Sequence, residues 1–505
     1  MPNLTTFPVS SVGGLDIVTP PQLLSNKPGA AVQLENYEAL TEGGYRRIRG
    51  YLPISFDGNV TDPGEIRGVR TYQGRPAIVK GGTCYILDED GITWTDLNPL
   101  NKLTGTDRAD MCTITPADLE EAVVMDGPGG GVPIVIHRDK FGVTTATSCT
   151  PAETAGAQWC TKYQDHIVIA GMTGRPSEVF VSARFDPTSF SGAGSWSFQV
   201  ADEVTGLRTF RGHLYVFCKQ SIYRVKNLEQ SANAVVEPVT LKIGCFSHFS
   251  IQEVGGDVLF LANDGLRYLG ATERIDDVAL NLQSSLIDPV LTQISAFQGN
   301  VSSAVISTKR QYRLFYTDTS GISRGLIGTL QGNGAFAWTT TTDMDVDFIH
   351  SDSTTPLSAT FHASKDAVFN HDVGNLFNIS PYTAVYRTPY FNLGDASVRK
   401  RCHSLTVYLE AEDTAVIQVF LRFDFESTRV HQPAPFDLAP VVSASRFGSA
   451  IFGAATYGAI RFPLDSIFLE GSGKWVQFEF RDDSLSNSRY IIRGFDLNFT
   501  PAGRI

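Results

Sequence analysis

The sequence predicts an all-β chain: a β-propeller of about six blades, preceded by an extended N-terminal arm and followed by a β-sandwich. Short apolar runs separated by glycine or polar turns recur through the middle of the chain, roughly 45–50 residues apart, the period of a four-stranded propeller blade. The first 55 residues are rich in proline and glycine, and near residue 385 longer, strictly alternating strands begin. The predicted division is residues 1–55 for the arm, 56–385 for the propeller and 386–505 for the sandwich.

Composition supports several β-rich domains. The chain has 505 residues, of which 42% are hydrophobic and 19% charged, so it can fill real cores and is not of the disordered class. The 46 glycines, 25 prolines and 32 phenylalanines favour short strands and turns over long helices. The net charge of −12 argues against a broad basic surface that would hold DNA tightly.

The N-terminal arm is predicted from its turn-forming residues, which stop a helix from propagating. These residues are Gly13, Gly14, Pro20, Pro21, Pro28, Gly29, Gly43 and Gly44. We expect an extended arm that lies at a subunit or partner contact.

The predicted blade units share an apolar strand, a turn and a second strand that carries an aromatic residue. They occupy residues 75–87, 166–181, 213–225, 257–269, 311–318 with 335–339, and 366–375. A set of unrelated hairpins in a sandwich is the alternative interpretation. Two excursions are predicted to be helical: residues 277–294, where Pro289 would bend or end the helix, and residues 117–124, which follow Pro116.

The sandwich is predicted from residues 416–425, 474–481 and 495–499, where apolar and polar residues alternate with period two. Several such strands within about 120 residues are typical of a β-sandwich. Residues 447–458 are too apolar for a linker and predict a loop that packs on a partner. Its candidate contact residues are Phe447, Ile451, Phe452 and Tyr457.

No sequence motif points to catalysis, a metal or a cofactor. The patterns of a nucleophile elbow, a His-Glu-x-x-His zinc site and a Walker A loop do not occur. Gly129-Gly130-Gly131 lies between prolines and predicts a hairpin turn rather than a phosphate loop. We therefore expect no enzymatic activity, although two carboxylates brought together from distant positions remain possible.

The cysteines and the termini predict folding in a reducing cytoplasm. Seven cysteines lack any Cys-x-x-Cys pair, which suits reduced thiols. The first residues lack the pattern of a signal peptide, and no run of about 18 apolar residues occurs, so no membrane insertion is expected.

Two basic clusters are candidate interfaces with acidic partners, the alternative being solvated charged strands or turns. The candidate residues are Tyr45, Arg46, Arg47 and Arg49 in the first cluster, and Arg399, Lys400 and Arg401 in the second.

Several stretches form a combination that is typical of one family. They are Gly14-Leu15-Asp16, Leu34-Glu35-Asn36-Tyr37, Tyr45-Arg46-Arg47-Ile48-Arg49-Gly50-Tyr51, Ser182-Ala183-Arg184-Phe185-Asp186-Pro187 closing with Trp196, and residues 258–269, 471–478 and 493–497. With these motifs the chain resembles the tail nozzle, or tail-stabilisation (tail tubular), proteins of short-tailed bacteriophages. The family's usual C-terminal arginine doublet is only Gly503-Arg504 here.

The resemblance implies a structural virion protein, assembled in the host cytoplasm as a homohexameric ring of the tail. The ring would lie below the portal and the adaptor (head-to-tail connector), conduct genomic DNA without tight binding, and dock tail fibres or spikes. It implies no cofactor and no catalysis. Because aligned arginines around a ring would retain DNA, we expect a lumen lined by acidic and uncharged polar residues.

A carbohydrate-binding or depolymerising propeller, acting in receptor binding, is the main alternative. It predicts two carboxylates and stacked aromatic side chains in one pocket at the propeller axis. A cell-surface adhesion module is a third interpretation.

Overall fold

The computed structural model describes residues 4–116, 119–229, 231–269, 282–295, 301–318, 322–352, 360–411, 415–439, 464–483 and 489–504. The helices among them are short: α1 (Pro21–Leu24), α2 (Asp288–Ser295) and 3-10 turns at Ala152–Thr154, His248–Ser250, Ser307–Lys309 and Asp424–Glu426. The predicted all-β class is confirmed.

The N-terminal segment contributes strands to several sheets. They are β1 (Thr5–Ser10), β2 (Gln33–Glu35), β3 (Tyr37–Ala39), β4 (Tyr45–Arg47) and β5 (Tyr51–Ile54).

The propeller consists of antiparallel sheets that follow one another around an axis, each beginning with its innermost strand. The first four blades are β6 (Ile66–Tyr72), β7 (Arg75–Lys80), β8 (Thr83–Leu87), β9 (Trp94–Asp96); β10 (Met111–Ile114), β11 (Glu121–Val124), β12 (Ile134–Arg138), β13 (Thr144–Ser148); β14 (Trp159–Tyr163), β15 (His166–Met172), β16 (Arg175–Val181), β17 (Trp196–Gln199); and β18 (Val204–Phe210), β19 (His213–Cys218), β20 (Ile222–Lys226), β21 (Val235–Thr240). A three-stranded blade follows: β22 (Gln252–Val254), β23 (Asp257–Ala262) and β24 (Gly265–Tyr268).

The ring is completed by two further units. The first is β25 (Val301–Ile306), β26 (Gln311–Thr317), β27 (Ser323–Leu330) and β28 (Phe336–Thr342), and the second is β29 (Phe348–Ser351), β30 (Thr360–Ala363) and β31 (Val368–His371). Strand β5 pairs with β31 and makes the last unit a four-stranded blade. Six sheets thus belong to the propeller alone, and the β25–β28 unit continues into the C-terminal domain. The predicted propeller of about six blades is confirmed.

Apolar side chains fill the spaces between neighbouring blades. Tyr72 and Ile86 of the first blade share one buried cluster with Ile136 of the second. The last blade packs on the first in the same way, through Ile78, Phe361 and Val368. Strand residues that are buried on both faces explain why the propeller sequence shows continuous apolar runs rather than strict alternation.

The C-terminal strands form two facing sheets. They are β32 (Ala384–Arg387), β33 (Val398–Ala411), β34 (Ile417–Phe423), β35 (Phe436–Leu438), β36 (Leu464–Phe468), β37 (Ser472–Gly473), β38 (Val476–Asp482) and β39 (Tyr490–Arg504). One sheet has the order β3-β4-β39-β33-β36, and the other runs from β25–β28 through β2, β32, β38 and β34 to β35. Phe478 and Phe495 meet between the sheets with their ring centroids 5.1 Å apart, as expected for a sandwich core.

Both predicted helices need correction. Residues 121–124 form strand β11, whose Ala122, Val123 and Val124 are fully buried; β-branched residues buried on both faces favour a strand. Helix α2 covers only the end of 277–294, and residues 277–281 lie outside the described residues. Pro289 lies in the first turn of α2, where its missing N–H costs nothing.

The N-terminal segment is largely extended, but it lies on its own chain. Strand β1 pairs with β39, β2 lies between β28 and β32, and β5 closes the last blade. The extended conformation predicted for this segment is confirmed, and its strands complete sheets of its own chain. Its predicted contact with a subunit or partner stays a prediction. A strand that pairs with the edge of a sheet satisfies the unpaired backbone N–H and C=O groups of that edge.

Buried charges fix this segment to the propeller. Glu38 of β3 is fully buried and accepts ion pairs from Arg46, from Lys309 at 3.0 Å and from Arg313 at 3.1 Å. Burial alone would raise the pKa of Glu38, but the charges of these three cations lower it. Asp372 supplies the second carboxylate, 2.7 Å from Lys309.

Replacing Glu38 by Gln should destabilise the protein by about 3–5 kcal/mol, because it leaves Arg313 buried without its principal counter-charge. Urea unfolding at pH 7 measures the effect. The control is Glu42→Gln, since the Glu42 side chain is 63% exposed; it should change stability by less than about 0.5 kcal/mol. Equal stability of the two variants would contradict the role of the network.

Candidate functional site

The candidate site is the cavity on the propeller axis. Three adjoining spaces lie there, two of about 370 and 450 Å³, and they are lined by residues of the innermost strands and the loops beside them. Arg70 of β6 and Arg208 of β18 line all three. Axial pockets of this size are typical places for small ligands.

A buried ion pair organises one wall of the cavity. Arg70 donates to Asp110 at 3.1 Å, and the side chain of Asp110 is 1% exposed while that of Arg70 is 30% exposed. Asp110 also accepts the backbone N–H of Cys160 at 3.1 Å. Burial would raise the pKa of Asp110, but the neighbouring charges and hydrogen bonds lower it. The carboxylate is thus ionised and fully occupied by donors.

His248 is held as a neutral ring. Its Nδ1 accepts the backbone N–H of Leu207 at 3.2 Å, so the proton lies on Nε2, which points to Asp110 at 3.2 Å. Burial lowers the pKa of His248 despite the nearby carboxylate. His248 therefore orients Asp110 without adding charge.

His350 is also neutral. Its Nδ1 accepts from Arg70 at 3.2 Å, which requires an unprotonated nitrogen. Burial and then the charge of Arg70 lower the pKa of His350 well below its usual range.

Arg108 is fixed by neutral partners. It donates to the Val301 carbonyl at 2.7 Å and to the Ser302 hydroxyl at 3.1 Å, and it stacks 3.4 Å from the centroid of the Phe249 ring. Burial lowers the pKa of Arg108 to about 9, so it stays protonated at neutral pH.

The axial Cys160, His248 and Asp110 resemble the composition of a thiol protease triad but not its chemistry. The Cys160 thiol lies 3.6 Å from Asp110, as a donor to the carboxylate. Burial raises the pKa of Cys160 well above its usual value, so the reactive thiolate is disfavoured. In the part of the chain that the structure describes, no group of His, Cys, Asp and Glu has the arrangement of a metal site.

The first predicted basic cluster is turned inwards. Tyr45 is fully buried and its hydroxyl donates to the Gly29 carbonyl at 2.7 Å. Arg47 is 1% exposed and forms an ion pair with Asp482 at 2.8 Å. Arg46 pairs with Glu38, and only Arg49 is half-buried without a hydrogen bond to the described residues. The interface prediction is wrong for Tyr45 and Arg47, because both complete the chain's own core.

The second basic cluster is mixed. Lys400 is 2% exposed and donates to the Lys474 carbonyl at 3.2 Å, so it is not a partner contact. Arg399 is half-buried and binds Ser472, whereas Arg401 is exposed. The predicted contact residues Phe447, Ile451, Phe452 and Tyr457 lie outside the described residues.

Sequence reasoning missed the axial residues. Arg70, Asp110, Arg208 and His248 are far apart in the chain, and none belongs to a recognisable motif. The available signal was positional: each charge lies on, or directly beside, the first strand of a blade, which lines the axis of a propeller.

Comparisons with known proteins identify no family. No family model matches the chain, and no curated protein matches it. A galactose-bound exo-β-1,3-galactanase from Phanerochaete chrysosporium is 10% identical, with 98% of this chain and 100% of that chain covered and a TM-score of 0.30. The Pan2 WD40 domain from Neurospora crassa is 8% identical, with coverages of 68% and 100% and a TM-score of 0.40.

PorZ, a surface component of the type-IX secretion system of Porphyromonas gingivalis, is 11% identical with a TM-score of 0.37. The match covers 77% of this chain but only 46% of the length of PorZ. With TM-scores below 0.5, these likenesses carry no argument about function. Among the described residues, no helix has the length and apolar character needed to cross a membrane.

Replacing Asp110 by Asn should destabilise the protein by about 2–4 kcal/mol, because Arg70 loses its counter-charge and His248 loses an acceptor. The matched control is Glu253→Gln, since Glu253 lines the same cavity but is exposed. Thermal and urea unfolding measure both variants. An Asp110→Asn protein as stable as the control would show that the ion pair is dispensable.

Stability should fall as the pH is lowered from 7.5 to 5. Burial lowers the folded-state pKa of four histidines: His248, His350, His362 (to about 3) and His371. The unfolded chain therefore takes up protons first, below about pH 6.5, and each histidine costs up to about 1.4 kcal/mol per pH unit. The stability that these neutral histidines contribute is fully present above about pH 6.5. It is lost as the pH falls from there towards the pKa values of the folded state.

Urea titrations at pH 7.5, 6 and 5 test this dependence. The His248→Gln variant should show a shallower decline, whereas His431→Gln, which changes an exposed ring, should keep the wild-type slope. A flat profile for the wild-type protein would contradict the buried neutral histidines.

Proposed function

We propose that this propeller protein is a structural component of a bacteriophage tail: a nozzle subunit that assembles into a homohexameric ring below the adaptor. The ring would conduct the genome during DNA ejection and dock fibres or spikes. The proposal rests on one observation: residues of the nozzle-like motifs occupy positions that tie the N-terminal segment to the rest of the chain.

The glycines of these motifs are required by close approaches. Gly14 has a φ of +72°, and a Cβ there would lie 2.7 Å from the backbone nitrogen of Trp338. A Cβ at Gly50 would lie 1.7 Å from the Leu376 carbonyl oxygen. The Gly-Leu-Asp turn and the Arg-Gly-Tyr turn therefore allow the segment to cross the β25–β28 unit and enter the last blade.

Asn36 of the Leu-Glu-Asn-Tyr motif has a comparable role. Its φ is +56°, a left-handed conformation that asparagine tolerates. Its side chain donates to the Thr383 carbonyl at 2.7 Å and accepts from the backbone N–H of Thr342 at 3.1 Å. The next residue, Tyr37, shares a hydrogen bond of 2.7 Å with Tyr490 of β39. This motif thus contacts the propeller at Thr342 and the sandwich at Thr383, just before β32, and at Tyr490 of β39.

A body braced in this way suits a load-bearing ring, because its domains share a sheet and cannot separate without breaking strand pairs. We propose a non-enzymatic role and a ring lumen lined by acidic and uncharged polar residues. The exposed Arg401 remains a candidate partner contact, and residues 447–458 keep their proposed place at a subunit interface.

A carbohydrate-active propeller is the second candidate function. This function requires two carboxylates and stacked aromatic side chains in one pocket on the propeller axis. Among the described residues, Glu120, Glu253 and Asp352 line the two open spaces, but no Phe, Tyr or Trp lines those spaces with them. The remaining carboxylate of the cavity, Asp110, is buried and saturated with donors. Such a carboxylate is not placed to protonate or attack a glycosidic bond.

Electron microscopy and analytical ultracentrifugation of the purified protein test the ring. We expect ring-shaped particles of hexameric mass, either alone or when an adaptor ring from a short-tailed phage is added. Arg401→Glu should weaken assembly, whereas Arg175→Glu, an exposed arginine on a blade, should not. A protein that stays monomeric under all these conditions would overturn the proposal.

A further inference from the structure

One of the three axial spaces, the one that Arg108 lines, holds more positive charge than the carboxylate beside it neutralises. The guanidinium groups of Arg70, Arg108 and Arg208 line one space together with a single ionised carboxylate, Asp110. His248 and His350 add no charge, since each accepts a hydrogen bond on Nδ1. Asp110 pairs with Arg70, whereas Arg108 and Arg208 line the same space without an ion pair to the described residues.

Two of these arginines have donors to spare. Arg208 is half-buried and makes no hydrogen bond or ion pair with the described residues. The Nε of Arg108 is buried and also lacks a hydrogen-bond partner among them. Burial and then the charge of Arg70 lower the pKa of Arg208, and the charges of Glu253 and Asp110 offset only part of this effect. Glu253, which lines one of these spaces with Arg208, is exposed to solvent.

Structural roles do not account for this arrangement. Arg70 has structural partners in Asp110 and His350, and Arg108 has them in Val301 and Ser302. Arg208 has no comparable partner, yet it lines each of the three axial spaces. A guanidinium presents a planar fork that matches the oxygens of carboxylate and phosphate.

We propose that the propeller axis is a binding site for a compact oxyanion, a phosphate or carboxylate group of a small ligand, held between Arg70 and Arg208. Arg108 lies beside the site and adds its charge from the wall. The two open spaces of about 370 and 450 Å³ are at the small end of ligand pockets, which fits a monosaccharide acid or a phosphate. The site does not depend on ring assembly, and its ligand is distinct from the genome that would pass through the ring.

Isothermal titration calorimetry on the full chain at pH 7.5 tests the site with two probes, inorganic phosphate and glucuronate. Sodium chloride at matched ionic strength corrects for general screening. We expect saturable binding of at least one probe at one site per chain. Binding of phosphate alone assigns a phosphate ligand, binding of glucuronate alone assigns a sugar acid, and binding of both assigns a general oxyanion site. Saturation by neither probe overturns the proposal.

Substitutions locate the binding on the axis. Arg208→Gln should weaken the affinity about ten- to hundredfold, the usual loss for a charged hydrogen bond. Arg175→Gln removes the same charge from an exposed surface position and should leave the affinity unchanged. Equal affinities for the wild-type protein and Arg208→Gln would place the anion elsewhere and refute the site.

A second variant covers the case in which Arg208→Gln does not fold. Arg208→Lys keeps the charge but loses the planar fork, so it should bind the same probe more weakly than the wild-type protein. Thermal melting curves confirm that each variant is folded before its affinity is compared. Undiminished binding by Arg208→Lys, with Arg208→Gln unfolded, would also count against the proposal.

Discussion

The buried carboxylate of Glu38, together with Asp372, ties the N-terminal segment to the propeller. It lies in the N-terminal segment yet neutralises Lys309 and Arg313, which flank the start of β26 in the propeller. Arg313 is fully buried and also donates to His371 at 2.8 Å, and His371 in turn contacts His362 at 3.0 Å. Without Glu38, a positive charge and two histidine rings would be buried with too few acceptors. The segment that carries Glu38 is therefore an integral part of the propeller core.

The same contacts position the N-terminal strands beside the last blade of the propeller. Strand β5 closes the last blade, and β3 and β4, just before it in the chain, are held by Glu38 and by the Arg47–Asp482 pair. Arg47 also donates to the Asn375 carbonyl, 328 residues along the chain. Such long-range contacts cost loop-closure entropy, which the buried ion pairs and strand pairing must offset. The N-terminal segment thus fastens a ring whose other blades are built from local hairpins.

Local features were predictable from the sequence, and long-range ones were not. The hairpin at 257–269 and the alternating strand at 417–423 could be predicted because their periodicity is local. The inward direction of Arg47 could not, because its partner Asp482 is far away in the chain. The axial site was hidden for the same reason: Asp110 and Arg208 come from different blades, and only the ring brings them together. Residues 121–124 were predicted as helix because Pro116 gave a strong local signal, which burial in the sheet overrode.

The whole chain is acidic, yet three arginines and one carboxylate line one space on its axis. A net charge of −12 describes the sum over the surface, whereas the potential in a narrow cavity is set by the few groups that line it. In the proposed ring, a negative net charge would disfavour binding of DNA to the body of the protein. The axial spaces that Arg70 and Arg208 line measure about 370 and 450 Å³, too small for a duplex. The two properties are therefore compatible within one subunit. A surface that releases a long polyanion can coexist with a pocket that retains a small one, because size rather than charge decides which anion reaches the arginines.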